Sequence, residues 1–162
     1  MGSGKTTAGK KLAAALGWTF IDLDKKIEEH TGKIIPELFS QYGEAWFRNV
    51  EAEVLRTLKD QENTVISTGG GTPCHGDNMD FMLETGVTIY LKLTAGQLKS
   101  RLTGSKTVRP LIKDLDPDDL LGFIENKLSL REEWYNRAEI TVEGIDTNIG
   151  LIMSLLKEKI NL

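Results

Sequence analysis

The chain reads as an α/β protein built on a parallel sheet, and three observations predict this. Short apolar runs alternate with amphipathic stretches along the whole length, the signature of strands connected by helices. Gly2-Ser3-Gly4-Lys5-Thr6-Thr7 matches the second half of a phosphate-binding loop, G-x-x-x-x-G-K-[ST], and runs directly into a helical segment. Two carboxylates, Asp22 and Asp24, follow the next apolar run, at the carboxyl end of a strand, where open α/β sheets bind ligands.

The elements follow in order. Gly2 and Gly4 let the backbone curl into a nest of inward-pointing N–H groups, and a helix over Lys5–Leu16 presents its positive end to the same anion. Lys5 supplies a mobile cation for terminal phosphates, and the Thr6 hydroxyl is placed to ligate Mg²⁺. A flexible Gly/Ser leader is the alternative, but Lys-Thr-Thr continues straight into the Ala-rich helix, which Gly17 closes. Residues 18–21 predict a buried strand; the strand period puts Asp22 and Asp24 on one side, while Asp24 could instead simply cap a helix over 25–30.

A short helix over 36–42 is stopped by Gly43, and a longer one over 44–61 carries the apolar stripe Phe47, Val50, Val54, Leu55 and Leu58. Arg48 stands beside that stripe and by default is a surface arginine. Thr64–Ser67 is a second strand, leading into Gly69-Gly70-Gly71, where three glycines imply close approach by another group. A helix at Asn78–Thr85 and a strand over 87–93 come next. Thr94 and Gln97 form a capping box for the following helix. The basic segment 104–116 carries Lys106, Arg109 and Lys113 without periodicity and predicts a lid. Asp116-Pro117-Asp118-Asp119 starts a helix to Tyr135 that carries Arg131, and a strand over 140–142 and a helix over 148–160 close the chain.

Composition narrows the function classes. The 162 residues, 40% hydrophobic, fit one domain over 1–162 with a substrate-binding region over 24–60. A net charge of −4 argues against nucleic acid as partner. The single Cys74 excludes a disulfide framework and suits a reducing cytoplasm. His30 and His75 are too few and scattered for a metal cage, so Cys74-His75 reads as ordinary loop chemistry. No apolar run approaches a membrane span.

Taken jointly, Gly2-Ser3-Gly4-Lys5-Thr6-Thr7, Phe20-Ile21-Asp22-Leu23-Asp24, Gly43-Glu44-x-x-Phe47-Arg48, Ser67-Thr68-Gly69-Gly70-Gly71, Val108-Arg109-Pro110-Leu111 and Leu130-Arg131-x-x-x-Tyr135 resemble the shikimate kinases in order and spacing, over nearly the whole chain. The resemblance implies a three-layer P-loop kinase fold, its parallel sheet ordered 2-3-1-4-5, plus a lid. The first strand is absent from this chain. It implies phosphorylation of shikimate by ATP, with Mg²⁺, in the chorismate pathway to aromatic amino acids. Gly2, Ser3, Gly4, Lys5, Thr6 and Thr7 would hold ATP, with Lys5 on the β/γ-phosphates, and Arg109 would descend with the lid. Thr6 and Asp22 would serve the metal side. Asp24 would meet the accepting hydroxyl, Arg48 and Arg131 would clamp the substrate carboxylate, and Gly70 would offer backbone contact. Lys5, Asp24 and Arg109 are the catalytic set.

The sequence departs from the family in three places. The loop's first glycine and the strand before it are missing. Glu133 replaces a common proline, which bears on where the helix ends. No basic residue near 148–151 answers to the usual adenine contact. Because family loops often carry methionine at the position of Met1, the expectation is that a central apolar strand precedes it, about ten residues with its loop. Two rival functions stand beside this: a gluconate-type small-molecule kinase, which would lack the arginine clamp, and a non-catalytic nucleotide-binding module, which would bind ATP without turnover. The chain is expected to act as a monomer.

Overall fold

A computed structural model describes residues 2–104, 116–144 and 148–160. The elements are α1 (Lys5–Leu16), β1 (Thr19–Asp22), α2 (Leu23–Thr31), α3 (Ile35–Arg56), β2 (Thr64–Ser67), a 3₁₀ turn (Thr72–Cys74), α4 (Asn78–Thr85), β3 (Ile89–Lys92), α5 (Ala95–Gly104), α6 (Pro117–Tyr135), β4 (Ile140–Glu143) and α7 (Ile149–Ile160). The expected capping box at the start of α5 forms. The Thr94 hydroxyl accepts from Gln97 N at 3.2 Å while Gln97 Oε1 accepts from Thr94 N at 2.9 Å. Asn78 and Asn148 also stand where their helices begin.

Two boundaries differ from the sequence reading. Asp22 is the last strand residue and also the N-cap of α2, accepting from Asp24 N at 3.1 Å and Lys25 N at 3.4 Å. The helix therefore begins at Leu23, and Asp24 lies in its first turn, so strand alternation does not relate the two carboxylates. A cap of this kind contributes about 0.5–2 kcal/mol, enough to turn strand into helix without a linker. The second difference is in α3, which ends at Arg56 and not at residue 61. The expected break at Gly43 is real: its φ of 81° and ψ of 173° interrupt the helical backbone. Opposite Glu133, the helix is unbroken, and α6 continues to Tyr135.

The four strands form two parallel pairs, β1 with β2 and β3 with β4. Thr19 to Asp22 run beside Thr64 to Ser67, and Ile89 to Lys92 beside Ile140 to Glu143. In the expected order 2-3-1-4-5 these pairs correspond to 2-3 and 4-5. Between β2 and β3 lies a cavity of about 460 Å³, lined by Val65, Ile66, Ile89 and Leu91, with Leu12 of α1 and Leu156 of α7. The core is accordingly divided. Leu23, Ile27, Leu38, Phe47, Val54 and Leu55 pack α2 and α3 beside the first pair. Leu12, Ile140, Val142, Ile152 and Leu156 join α1 and α7 to the second, and Leu93, Leu98, Leu102, Leu120 and Ile124 bind α5 to α6. The carboxyl ends of β1 and β2 deliver Asp22 and the Gly69–Gly71 loop to one side of the molecule, next to the start of α1.

Candidate active site

The loop before α1 has the predicted conformation. Gly2 and Gly4 take φ of 71° and 86°, values that a side chain would strain, and Gly4 precedes the first turn of α1. That turn contains no acidic residue, so the helix's positive end is left for an anion. Lys5 Nζ folds back over the loop, donating to Ser3 Oγ at 3.4 Å. Thr7 completes the same first turn. Behind the loop, Arg101 of α5 donates from Nη1 to the Ser3 carbonyl at 3.1 Å, and Leu102 packs against Gly2.

Thr6 and Asp22 meet, the Thr6 hydroxyl donating to Asp22 Oδ2 at 3.1 Å. A hydroxyl and a carboxylate beside an anion-binding nest are hard oxygen donors of the kind Mg²⁺ takes when it keeps most of its waters. Among the described residues no cluster of three or more His, Cys, Asp or Glu could form a closed cage.

Asp24 stands across from the loop at the mouth of the cleft. Its Oδ1 would lie 3.3 Å from a Cβ at Gly69, so the carboxylate touches the glycine loop. Crowding by surrounding atoms, then repulsion from Asp22 and Glu51, push its pKa up to about 6, although Lys5 opposes them. A carboxyl so raised is a better proton acceptor near neutrality than an ordinary aspartate.

Arg48 is not a surface arginine. Its side chain is only 16% exposed, and Nη1 donates to both carboxylate oxygens of Glu51 at 2.8 Å. Glu51 is itself 2% exposed and accepts from Thr72 Oγ1 at 3.0 Å. Burial overrides the default here because Glu51 compensates the charge. On the cleft side, the guanidinium presses so close to the glycine loop that a Cβ at Gly71 would lie 2.5 Å from Nη2. Arg131, on α6, and Arg48 both act electrostatically on Cys74 and His75, which places them around one spot. Gly70 lies between, its carbonyl accepting from the Tyr135 hydroxyl at 2.5 Å.

The structure thus brings Gly2 to Thr7, Asp22, Asp24, Arg48, Gly70 and Arg131 into one cleft. Arg109 and most of the lid over 104–116 lie outside the described residues. Sequence reasoning missed Glu51, Thr72 and Arg101. The Arg48-x-x-Glu51 spacing, which places the two on one helix face, was the available signal for the first.

A phosphate-binding loop with an aspartate and two arginines nearby, at the carboxyl ends of parallel strands, fits a phosphoryl-transfer enzyme for an anionic small molecule. The comparisons carry this further. The family model described as shikimate kinase matches residues 1–160. A shikimate kinase of Parabacteroides distasonis is 43% identical over 144 residues, covering 89% of this chain and 83% of the relative. The crystal structure of shikimate kinase from Bacteroides thetaiotaomicron superposes with a TM-score of 0.91 at 40% identity, covering 100% of this chain and 94% of that one. Shikimate kinase from Acinetobacter baumannii in complex with shikimate superposes with a TM-score of 0.85 at 32% identity, covering 99% and 89%. The chain belongs to the shikimate kinase family. Its reaction is the ATP-dependent phosphorylation of shikimate in the aromatic pathway.

Proposed function

We propose that the cleft performs this transfer in line, within a single domain, with each half of the site holding one substrate. The observation that carries the division is the position of Asp24, between the phosphate loop with Lys5 on one side and the Gly69–Gly71 loop with Arg48 on the other. Amides of Gly2 to Thr7 and the Lys5 ammonium bind the triphosphate of ATP. Arg48 and Arg131 grip the shikimate carboxylate with planar forks suited to it, and the Gly70 backbone borders the ring. Shikimate's accepting hydroxyl then faces Asp24, which orients it and takes its proton late, since the transition state for phosphoryl transfer is loose and anionic. Thr6 and Asp22 hold Mg²⁺, which when bound neutralises charge on the phosphates. Arg109 adds a further cation when the lid segment covers ATP and excludes water.

The two arginines support a carboxylate substrate; gluconate carries a carboxylate too, so the choice of shikimate over it rests on the family match. Both halves come from one chain, which supports action as a monomer, and the one thiol supports a reducing cytoplasm. Among the described residues no helix is long and apolar enough to cross a membrane. A coupled assay of ADP release with shikimate and gluconate side by side tests the reading. Turnover with shikimate alone, abolished by withholding Mg²⁺, is expected. Preferential turnover of gluconate, or ATP binding without ADP release, would replace it with one of the rivals.

A further inference from the structure

Tyr135 has no role in the reaction as described, yet it is the residue that joins two parts of the substrate site. It follows Arg131 by four positions on α6, so the two side chains share a helix face. Its hydroxyl donates to the Gly70 carbonyl at 2.5 Å, and the Arg131 guanidinium is close enough to act on it electrostatically. The ring rests on Tyr90 of β3, centroids 5.0 Å apart, which leaves the hydroxyl little freedom to wander.

The glycine loop shows why this contact matters. Two of its peptide planes are held by its own turn: Gly69 O accepts from Thr72 N at 3.2 Å, and Gly71 O accepts from Cys74 N at 3.0 Å. The plane between them, Gly70 C=O to Gly71 N–H, is held from outside by Tyr135, with only a long 3.9 Å contact from Cys74 Sγ beside it. Glycines on both sides impose no conformational preference of their own, so without an external bond this plane can rotate. In a trans peptide C=O and N–H point in opposite directions. Fixing the carbonyl against α6 therefore aims Gly71 N–H away from Tyr135. Arg48 Nη2 already borders Gly71 on its Cβ side.

We propose that Tyr135 is a positioning residue for the acid substrate: its hydroxyl fixes the Gly70–Gly71 peptide, so that Gly71 N–H is turned away from α6 toward the substrate carboxylate beside Arg48. The inference rests on the assignment of that carboxylate to the arginine pair. Burial holds the phenol's pKa above its ordinary value, against the lowering effect of Arg131, so the hydroxyl stays a donor across the working pH range.

Tyr135→Phe removes the hydroxyl and keeps the ring. It is expected to raise the KM for shikimate about tenfold, the scale for losing hydrogen bonds to a charged group. Neither kcat nor the KM for ATP should change by more than about twofold, and the melting temperature should be nearly unchanged. In an ¹⁵N-labelled sample without substrate, the Gly71 amide resonance should move, because its peptide plane is released. An unmoved Gly71 resonance, an unchanged KM for shikimate, or a parallel loss of both substrates with a lower melting temperature would each overturn the proposal. Failure of the wild-type enzyme to turn over shikimate would instead remove the carboxylate assignment. The Gly71 resonance would then still decide whether Tyr135 holds the loop.

Discussion

Asp24, proposed to take the proton of the accepting hydroxyl, works against the fold that holds it. With its pKa raised from 3.8 in the unfolded chain to about 6 in the cleft, the folded protein binds more protons than the unfolded one between those values. Stability from this group is therefore present below the unfolded pKa and is lost as pH rises through about 6. Asp24→Asn should consequently melt no lower than wild type at pH 7, and higher if solvent screening leaves the strain measurable. That difference should vanish below the ordinary aspartate pKa, a comparison that thermal melts at two pH values provide. The same substitution should remove nearly all turnover while leaving Mg·ATP binding intact. In the wild type, turnover should fall as one proton is taken up below about pH 6, where Asp24 loses its charge. A flat profile down to pH 5 would mean that Asp24 does not accept the proton. At Arg48, truncation to Ala should weaken shikimate binding by about 2–5 kcal/mol, since it also leaves Glu51 buried without its partner. Binding of ATP, measured by calorimetry, should be untouched.

At the scale of the element, α3 unites a structural and a functional task through one glycine and one carboxylate. Gly43 takes a backbone conformation open almost only to glycine, while nothing lies within 4 Å of where a side chain would go. Gly43→Ala isolates the backbone cost, and a loss of about 1–3 kcal/mol in chemical denaturation is expected. Beyond the kink, Glu51 is the hinge of a polar chain running from Arg48 through Thr72 to Asn78, whose Nδ2 donates to the Thr72 carbonyl at 2.9 Å and whose Oδ1 accepts from Arg56 Nη1 at 3.0 Å. Glu51→Ala should cost about 3–5 kcal/mol of stability, the range for breaking a buried ion pair from one side. It should also raise the KM for shikimate, because Arg48 loses its buried partner and keeps only the exposed Glu44. Loss of stability alone would make Glu51 a purely structural residue.

For the molecule as a whole, the central cavity is where apolar surface lies open between the two strand pairs. Its walls are the inner edges of two parallel strand pairs and the apolar faces of α1 and α7, a shape and chemistry that an extended apolar segment fills. Each apolar side chain buried there contributes about 1.5–3 kcal/mol, so a strand of five or so residues is comparable with a whole domain's stability of about 5–15 kcal/mol. A longer chain carrying an apolar strand ahead of Met1 should therefore melt well above the chain of 162 residues. Equal melting temperatures would show that the pairs are held together without it.

Local chemistry is what the amino-acid order determined by itself. Glycine spacing, a helix start and the run of caps depend on neighbours a few positions away, so the phosphate loop, Gly17, the Gly43 break and the Thr94 box were all legible. The register of Asp22 and Asp24 was not, because the cap considered at Asp24 forms instead at Asp22, where it ends the strand. Arg48 was misread for a different reason. Whether a charge is buried depends on Glu51 and on Thr72, which is 21 residues farther along the chain than Glu51. Tyr135 and Gly70, separated by 65 residues, are joined only when α6 folds over the glycine loop. Contacts of that span are set by packing between elements, and only the tertiary structure decided them.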